Sequence, residues 1–96
     1  MSKNEKRRLL YTTIERIKSL DSDTQLSIKD DYNNTLVINR ESKAKYSYET
    51  HEPCTYLDKP DSPVIGLPSI IYLIGQAVIN WTNPKIKETD KNESNN

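Results

Sequence analysis

The chain has 96 residues, which is enough for one domain with a single small hydrophobic core. Only 33% of the residues are hydrophobic and phenylalanine is absent, so isoleucine, leucine, tyrosine and the single tryptophan must build that core. The 14 basic and 14 acidic side chains cancel, and this neutral balance argues against a strongly basic nucleic-acid-binding module.

The first predicted element is an amphipathic helix over residues 4–20. Leu10, Ile14 and Ile17 recur at helical spacing and mark the face that turns towards the core. Residues 1–20 carry six basic side chains against two acidic ones, a local charge of +4. This excess predicts that the exposed face of the helix can contact an acidic partner.

Three antiparallel strands are predicted next, over residues 24–29, 35–39 and 44–50. The first and third alternate apolar and polar side chains, whereas the second is more apolar and is therefore expected at the centre of the sheet. A turn rich in Asp and Asn separates the first two strands. Tyr46 and Tyr48 share one face of the third strand, and we predict that they pack in the core with their hydroxyl groups at its rim.

The strongest hydrophobicity of the chain lies in an uncharged segment between Asp61 and Lys85. At about 100° per residue, its apolar side chains form one continuous arc and its polar side chains a narrow stripe, with Ile79 at the edge of that stripe. The segment is near the lower limit for crossing a bilayer, but a polar stripe suits a helix packed on a sheet. We therefore predict a core helix over residues 68–82 and no membrane segment.

The predicted fold class is α+β, with the element order α-β-β-β-α. A long loop with three prolines, residues 51–66, joins the third strand to the hydrophobic C-terminal helix, with a short strand considered at 54–57. Residues 1–84 form the single domain, in which that helix packs on the three-stranded sheet. Residues 85–96 hold one aliphatic side chain and are predicted to form a disordered polar tail.

No pattern of catalytic, metal-binding or cofactor-binding residues is present in the sequence. His51 and Cys54 lie close together in a proline-rich segment, but no third residue that would orient such a pair can be identified. The single cysteine excludes an internal disulfide framework, and the absence of a secretory signal pattern favours a cytoplasmic location. Four aspartates do not follow the spacing of a calcium loop and are explained by helix termination and turns; these are Asp21, Asp23, Asp30 and Asp31.

The function predicted from the sequence is non-enzymatic binding of a protein partner, as a small regulator, adaptor or inhibitor. Tyr32 at the tip of the first hairpin and Tyr56 in the long loop are the residue types that anchor interfaces. The basic first helix would add four charged contacts: Arg7, Arg8, Arg16 and Lys18. The richness in Asn, Lys, Ile and Ser is typical of AT-rich genomes, which suggests a phage or a mobile element as the source.

Two alternatives stay open. A nucleic-acid-associated accessory protein would use the same four basic side chains together with Lys43 and Lys45, which lie next to Tyr46 and Tyr48 in the sequence. A homodimer would instead pair the apolar C-terminal helix across a two-fold axis.

Overall fold

The computed structural model describes residues 1–51 and 53–91, and within these ranges the chain forms an antiparallel sheet with two helices on one face. The helices are α1 (Lys3–Lys18) and α2 (Leu67–Asn80). The strands are β1 (Thr24–Lys29), β2 (Thr35–Ser42), β3 (Lys45–His51), β4 (Val64–Gly66) and β5 (Lys85–Asp90). The strand order is β4-β3-β2-β1-β5. Neither helix reaches the length and apolarity that a membrane crossing requires.

The α1 helix begins with a capping box. The Ser2 hydroxyl oxygen accepts a hydrogen bond of 3.2 Å from the Glu5 backbone N–H, and the Glu5 carboxylate accepts one of 3.4 Å from the Ser2 N–H. Two of the N–H groups that a helix start leaves unpaired are thus satisfied locally. Hydrogen bonding of the Glu5 carboxylate to the Ser2 side chain and to the Ser2 backbone N–H holds the pKa of this carboxyl below its ordinary value.

The core lies between the helices and one face of the sheet. Tyr46 on β3 is fully buried and its hydroxyl donates to the Ile17 carbonyl at 3.0 Å, while half-buried Tyr48 donates to the Pro60 carbonyl at 2.9 Å. Both tyrosines contact the core, as predicted, and the Tyr48 hydroxyl reaches its rim. The Tyr46 hydroxyl, which was also predicted at the rim, is instead buried. The central strands contribute cross-strand pairs of buried aliphatic side chains: Leu26 with Ile38, and Ile28 with Leu36.

The α2 helix buries the predicted apolar arc. Five of its side chains have no more than traces of exposed surface: Ile70, Leu73, Ile74, Ala77 and Val78. Each such burial stabilises the fold by roughly 1 to 3 kcal/mol. Because the arc is covered, a homodimer through α2 would have to use what remains exposed on it, chiefly Tyr72 and Ile79.

The sequence prediction of three strands and a final helix is wrong in two places. The sheet has five strands, because β4 lies in the predicted proline loop and β5 in the predicted tail. The β5 strand has polar or charged side chains at five of six positions, and it is held by backbone pairing along the whole of β1, with Ile86 opposite Ile28. Charged side chains are common on edge strands, where water solvates them. The end of the predicted tail, residues 92–96, lies outside the described residues.

The strand considered at residues 54–57 is also absent. This stretch is irregular backbone, and the strand in this part of the chain comes ten residues later, at β4. β4 is short because α2 begins directly after it at Leu67, with Pro68 in the first helical turn.

Candidate functional site

Tyr32 and Tyr56, selected separately from the sequence, lie on the same concave surface. Tyr32 is 67% exposed and Tyr56 is 72% exposed, and both line a cleft of about 450 Å³ beside the end of α2. We call this surface the tyrosine cleft. The remaining residues that line it are Asp30, Asn34, Pro53, Thr55, Asn80, Trp81 and Thr82.

The Asp30 carboxylate holds the β1–β2 turn in the cleft wall. One of its oxygens accepts hydrogen bonds from the backbone N–H groups of Tyr32 and Asn34, at 3.0 and 2.9 Å. The other accepts from Asn34 Nδ2 at 3.0 Å and from the Thr82 N–H at 3.2 Å. Burial of Asp30 acts to raise its pKa, but these four donors outweigh burial and lower the pKa below its ordinary value. The carboxylate is therefore a charged anchor of the turn that carries Tyr32.

The loop that carries Tyr56 is tied to the same anchor. The Thr55 backbone N–H donates to Asn34 Oδ1 at 2.9 Å, and the indole N–H of buried Trp81 donates to the Thr55 carbonyl at 2.7 Å. The backbone N–H and carbonyl of Thr55, the residue before Tyr56, are thus both held by hydrogen bonds. Tyr56 has a φ of 60°, a left-handed conformation that is strained for a bulky residue and persists only where its surroundings enforce it.

A shallower pocket of about 470 Å³ continues from the tyrosine cleft across Tyr56 and Asn80 towards Gln76. The Gln76 carbonyl oxygen accepts a hydrogen bond from the Asp58 N–H at 2.9 Å. Its amide nitrogen is buried, and no acceptor contacts it among the residues that the structure describes. An unpaired buried donor of this kind costs roughly 1 to 3 kcal/mol.

The four basic side chains predicted on α1 do not form one patch. Arg7, Arg8, Arg16 and Lys18 are all exposed. At about 100° per residue, however, Arg16 points about 180° away from Arg7 and about 160° away from Lys18. Lys18 also forms an ion pair with Glu15, at 3.6 Å. Of these four, Arg7 lines a groove between α1 and α2.

Two further basic residues have structural roles that the sequence did not reveal. The Lys6 ammonium donates to the carbonyls of Ile79 and Trp81, at 2.8 and 2.9 Å, and so satisfies the end of α2. The Arg40 guanidinium donates to the Lys18 and Leu20 carbonyls at the end of α1, at 3.0 and 3.3 Å.

Arg40 also binds the β2–β3 turn. It donates to the Ser42 and Lys43 carbonyls, and its guanidinium lies 5.2 Å from the centre of the Tyr46 ring. Because Tyr46 and Tyr48 face the helices, their rings are not available on the open face of the sheet for stacking on bases. Lys43 and Lys45 are exposed at this turn, near the end of α1.

The surroundings of His51, Cys54 and Asp31 do not suggest catalysis or metal binding. His51 is exposed, with Nε2 3.9 Å from the Glu49 carboxylate, and the half-buried Cys54 packs against the core. Asp31 accepts a hydrogen bond from Asn83 Nδ2 at 2.7 Å, a contact with the segment after α2. The described residues contain no group of three or more His, Cys, Asp or Glu side chains placed to hold a metal ion.

Sequence reasoning identified the two exposed tyrosines but missed their supports, Asn34, Thr55 and Trp81. The Asp- and Asn-rich turn was the one local indication, since such residues bind their own backbone.

The chain matches no protein-family model, no curated protein and no solved structure.

Proposed function

We propose that this chain is a non-enzymatic binding protein that acts on a protein partner through the tyrosine cleft, as a regulator, adaptor or inhibitor. The observation that carries the proposal is the convergence of Tyr32 and Tyr56 on one cleft from separate segments of the chain. Tyrosine is enriched at the centres of protein interfaces, because its ring buries a large area while its hydroxyl group keeps a hydrogen bond.

The cleft is ordered before any partner arrives. The turn before Tyr32 and the loop before Tyr56 are held by Asp30, Asn34 and Trp81. A partner would therefore not have to supply the free energy of ordering these backbone segments, which otherwise weakens binding. This favours binding through the Tyr32 and Tyr56 side chains, which are presented by an ordered backbone.

Exposed large hydrophobic side chains are concentrated at the tyrosine cleft and at a neighbouring groove. Seven large hydrophobic side chains are exposed among the described residues, and five of them line the tyrosine cleft or the neighbouring groove between α1 and α2. These five are Met1, Tyr11, Tyr32, Tyr56 and Ile79. Clustering of exposed apolar side chains at one end of a domain is typical of interaction surfaces.

The test is capture of partners from source-cell lysate by the tagged chain, with and without nuclease. We expect a protein that survives nuclease treatment and whose capture falls about thirtyfold, or 2 kcal/mol, with Tyr32→Ala or Tyr56→Ala. Tyr72→Ala is the matched control, because Tyr72 is 58% exposed and lies outside the cleft. Equal capture by all three variants would remove the cleft as the binding surface.

A nucleic-acid-associated function is the second candidate. Arg40 holds the end of α1 against the β2–β3 turn, which brings Lys18, Lys43 and Lys45 to one end of the molecule. Such a cluster would contact phosphates, and binding would then fall steeply with salt. We expect Lys18→Glu with Lys43→Glu to abolish binding to single-stranded DNA and RNA if this function holds, and Arg7→Glu with Arg8→Glu to weaken it. Unchanged binding in both double variants would exclude it.

A further inference from the structure

A second concave surface lies beside the end of α2. It is a groove of about 510 Å³ between the first half of α1 and the last turn of α2. Ile79 lines this groove, whereas the next three residues of the chain, Asn80 to Thr82, line the tyrosine cleft. We call it the helix groove, and its lining residues are Met1, Lys3, Lys6, Arg7, Leu10, Tyr11 and Ile79.

The floor of the helix groove is apolar and uncovered. Tyr11 is 64% exposed and Ile79 is 49% exposed, and the half-buried Leu10 lies beside them. Ile79 departs from an otherwise polar stripe of α2, and about half of its surface is left exposed. Because these apolar side chains line a concave surface, the groove is suited to bind an apolar side chain that inserts into it.

The charges around the helix groove have one sign. Lys3 and Arg7 are exposed about 40° apart on α1 and border the groove. Lys6 is engaged by the carbonyls at the end of α2 and holds the groove wall. None of the residues that line the groove is acidic. The acidic residues of α1 are engaged elsewhere, Glu5 in the capping box and Glu15 with Lys18.

We propose that the helix groove binds an acidic segment of a protein partner. An apolar side chain of that segment inserts between Tyr11 and Ile79, and its carboxylates pair with Lys3 and Arg7. The inference rests on the proposed protein-binding function and adds to it the chemistry of the partner. Opposite charges around an apolar anchor give both orientation and a faster encounter.

The experiment is selection of peptides on the full chain from a phage-displayed random library, followed by titration of the selected peptides in solution. We expect peptides with one or two large apolar residues flanked by Asp and Glu. Their affinity should fall about tenfold with Arg7→Glu and with Ile79→Asp, and should weaken as salt rises. Arg16→Glu makes the same charge change on the opposite side of α1 and should leave the affinity unchanged. A thermal melt of each variant confirms that the fold is retained.

Several results would overturn the inference. These are no enrichment, selection of neutral or basic peptides, and acidic peptides that bind Arg7→Glu as well as the unaltered chain. Binding of vesicles of phosphatidylcholine and phosphatidylserine that is lost in Arg7→Glu, with no peptide binding, would assign the groove to a membrane surface instead. Loss of partner capture in Tyr56→Ala but not in Arg7→Glu would keep the proposed function and remove the groove. The reverse pattern would keep the groove and remove the cleft.

Discussion

The Asp30 carboxylate accepts a hydrogen bond from the Thr82 backbone N–H across 52 positions of sequence, at 3.2 Å. A second hydrogen bond lies beside it and runs in the opposite direction, from the Asp31 N–H to the Thr82 carbonyl at 3.0 Å. The turn after β1 and the segment after α2 are therefore joined as one unit. This unit supports one wall of the tyrosine cleft.

Asp30→Asn should lower the free energy of unfolding by about 2 to 4 kcal/mol, because hydrogen bonds to a buried charged group are lost and an amide cannot accept all four donors. The effect should depend on pH. The folded-state pKa of Asp30 lies below its ordinary value of 3.8. The stabilisation is therefore complete above that value and disappears as the pH falls through the lower folded-state pKa.

Urea unfolding at a series of pH values measures this dependence. The unaltered chain should lose more stability between neutral pH and pH values below about 4 than Asp30→Asn does, so that the two curves converge in acid. Asp58→Asn is a control, since Asp58 is exposed and uses its backbone N–H in the contact with Gln76. A constant difference between the two proteins at all pH values would contradict the role of the Asp30 charge.

Trp81→Phe should loosen the loop that carries Tyr56 while the fold is retained. The substitution keeps an aromatic ring in the core but removes the indole donor to the Thr55 carbonyl, for an expected loss of about 1 to 2 kcal/mol. Hydrogen exchange should quicken at the amides of residues 55–58 more than in β1 or β2. Partner capture through the cleft should fall in parallel. Unchanged exchange in the loop would show that this hydrogen bond does not hold it.

Ile74→Asp and Ile79→Asp should differ sharply although they are the same substitution on the same helix. Ile74 is fully buried, so an unpaired carboxylate there should unfold the domain. Ile79 faces solvent in the helix groove, so its variant should stay folded with a stability change within about 1 kcal/mol. Circular dichroism and size-exclusion chromatography report both outcomes. A folded, monomeric Ile74→Asp protein would show that the apolar arc of α2 is not the core.

Arg40→Ala should destabilise the domain by about 1 to 3 kcal/mol, because carbonyls at the end of α1 and in the β2–β3 turn lose a charged donor. Arg16→Ala removes the same side chain from an exposed position of α1 and should change stability by less than about 0.5 kcal/mol. Thermal unfolding of the two variants at one pH gives the comparison. Equal melting temperatures would contradict the structural role of Arg40.

Much of the fold was predictable where local periodicity was strong. The first two strands begin where their patterns predicted, and α2 buries the apolar arc around Ile74. The two missed strands had no such pattern. β5 is paired by its backbone to β1 and contributes one half-buried aliphatic residue, Ile86. Backbone pairing of an edge strand leaves little trace in the side chains, so the segment resembled a polar tail.

The candidate site was predictable in its residue types and not in its arrangement. Exposure of Tyr32 and Tyr56 followed from a turn and a loop, but their shared cleft depends on Asn34 and Trp81, which connect distant segments. For the basic residues, the sequence showed a charge of +4 over residues 1–20 but not which groups these side chains contact. The Lys6 ammonium donates to two carbonyls at the end of α2 that only the packing of the two helices brings within reach.

By itself, the sequence determined the helices, the central strands and the composition of the core, because these depend on periodicities within single segments. The tertiary structure alone decided which surfaces the chain presents. Three of the four donors to Asp30 lie within its own turn, but only packing brought Thr82 to the same carboxylate. Likewise, Ile79 became the floor of a groove only when α1 packed against α2. Hydrogen bonds and concavities between segments far apart in the chain arise from packing, and no local pattern of residues encodes them.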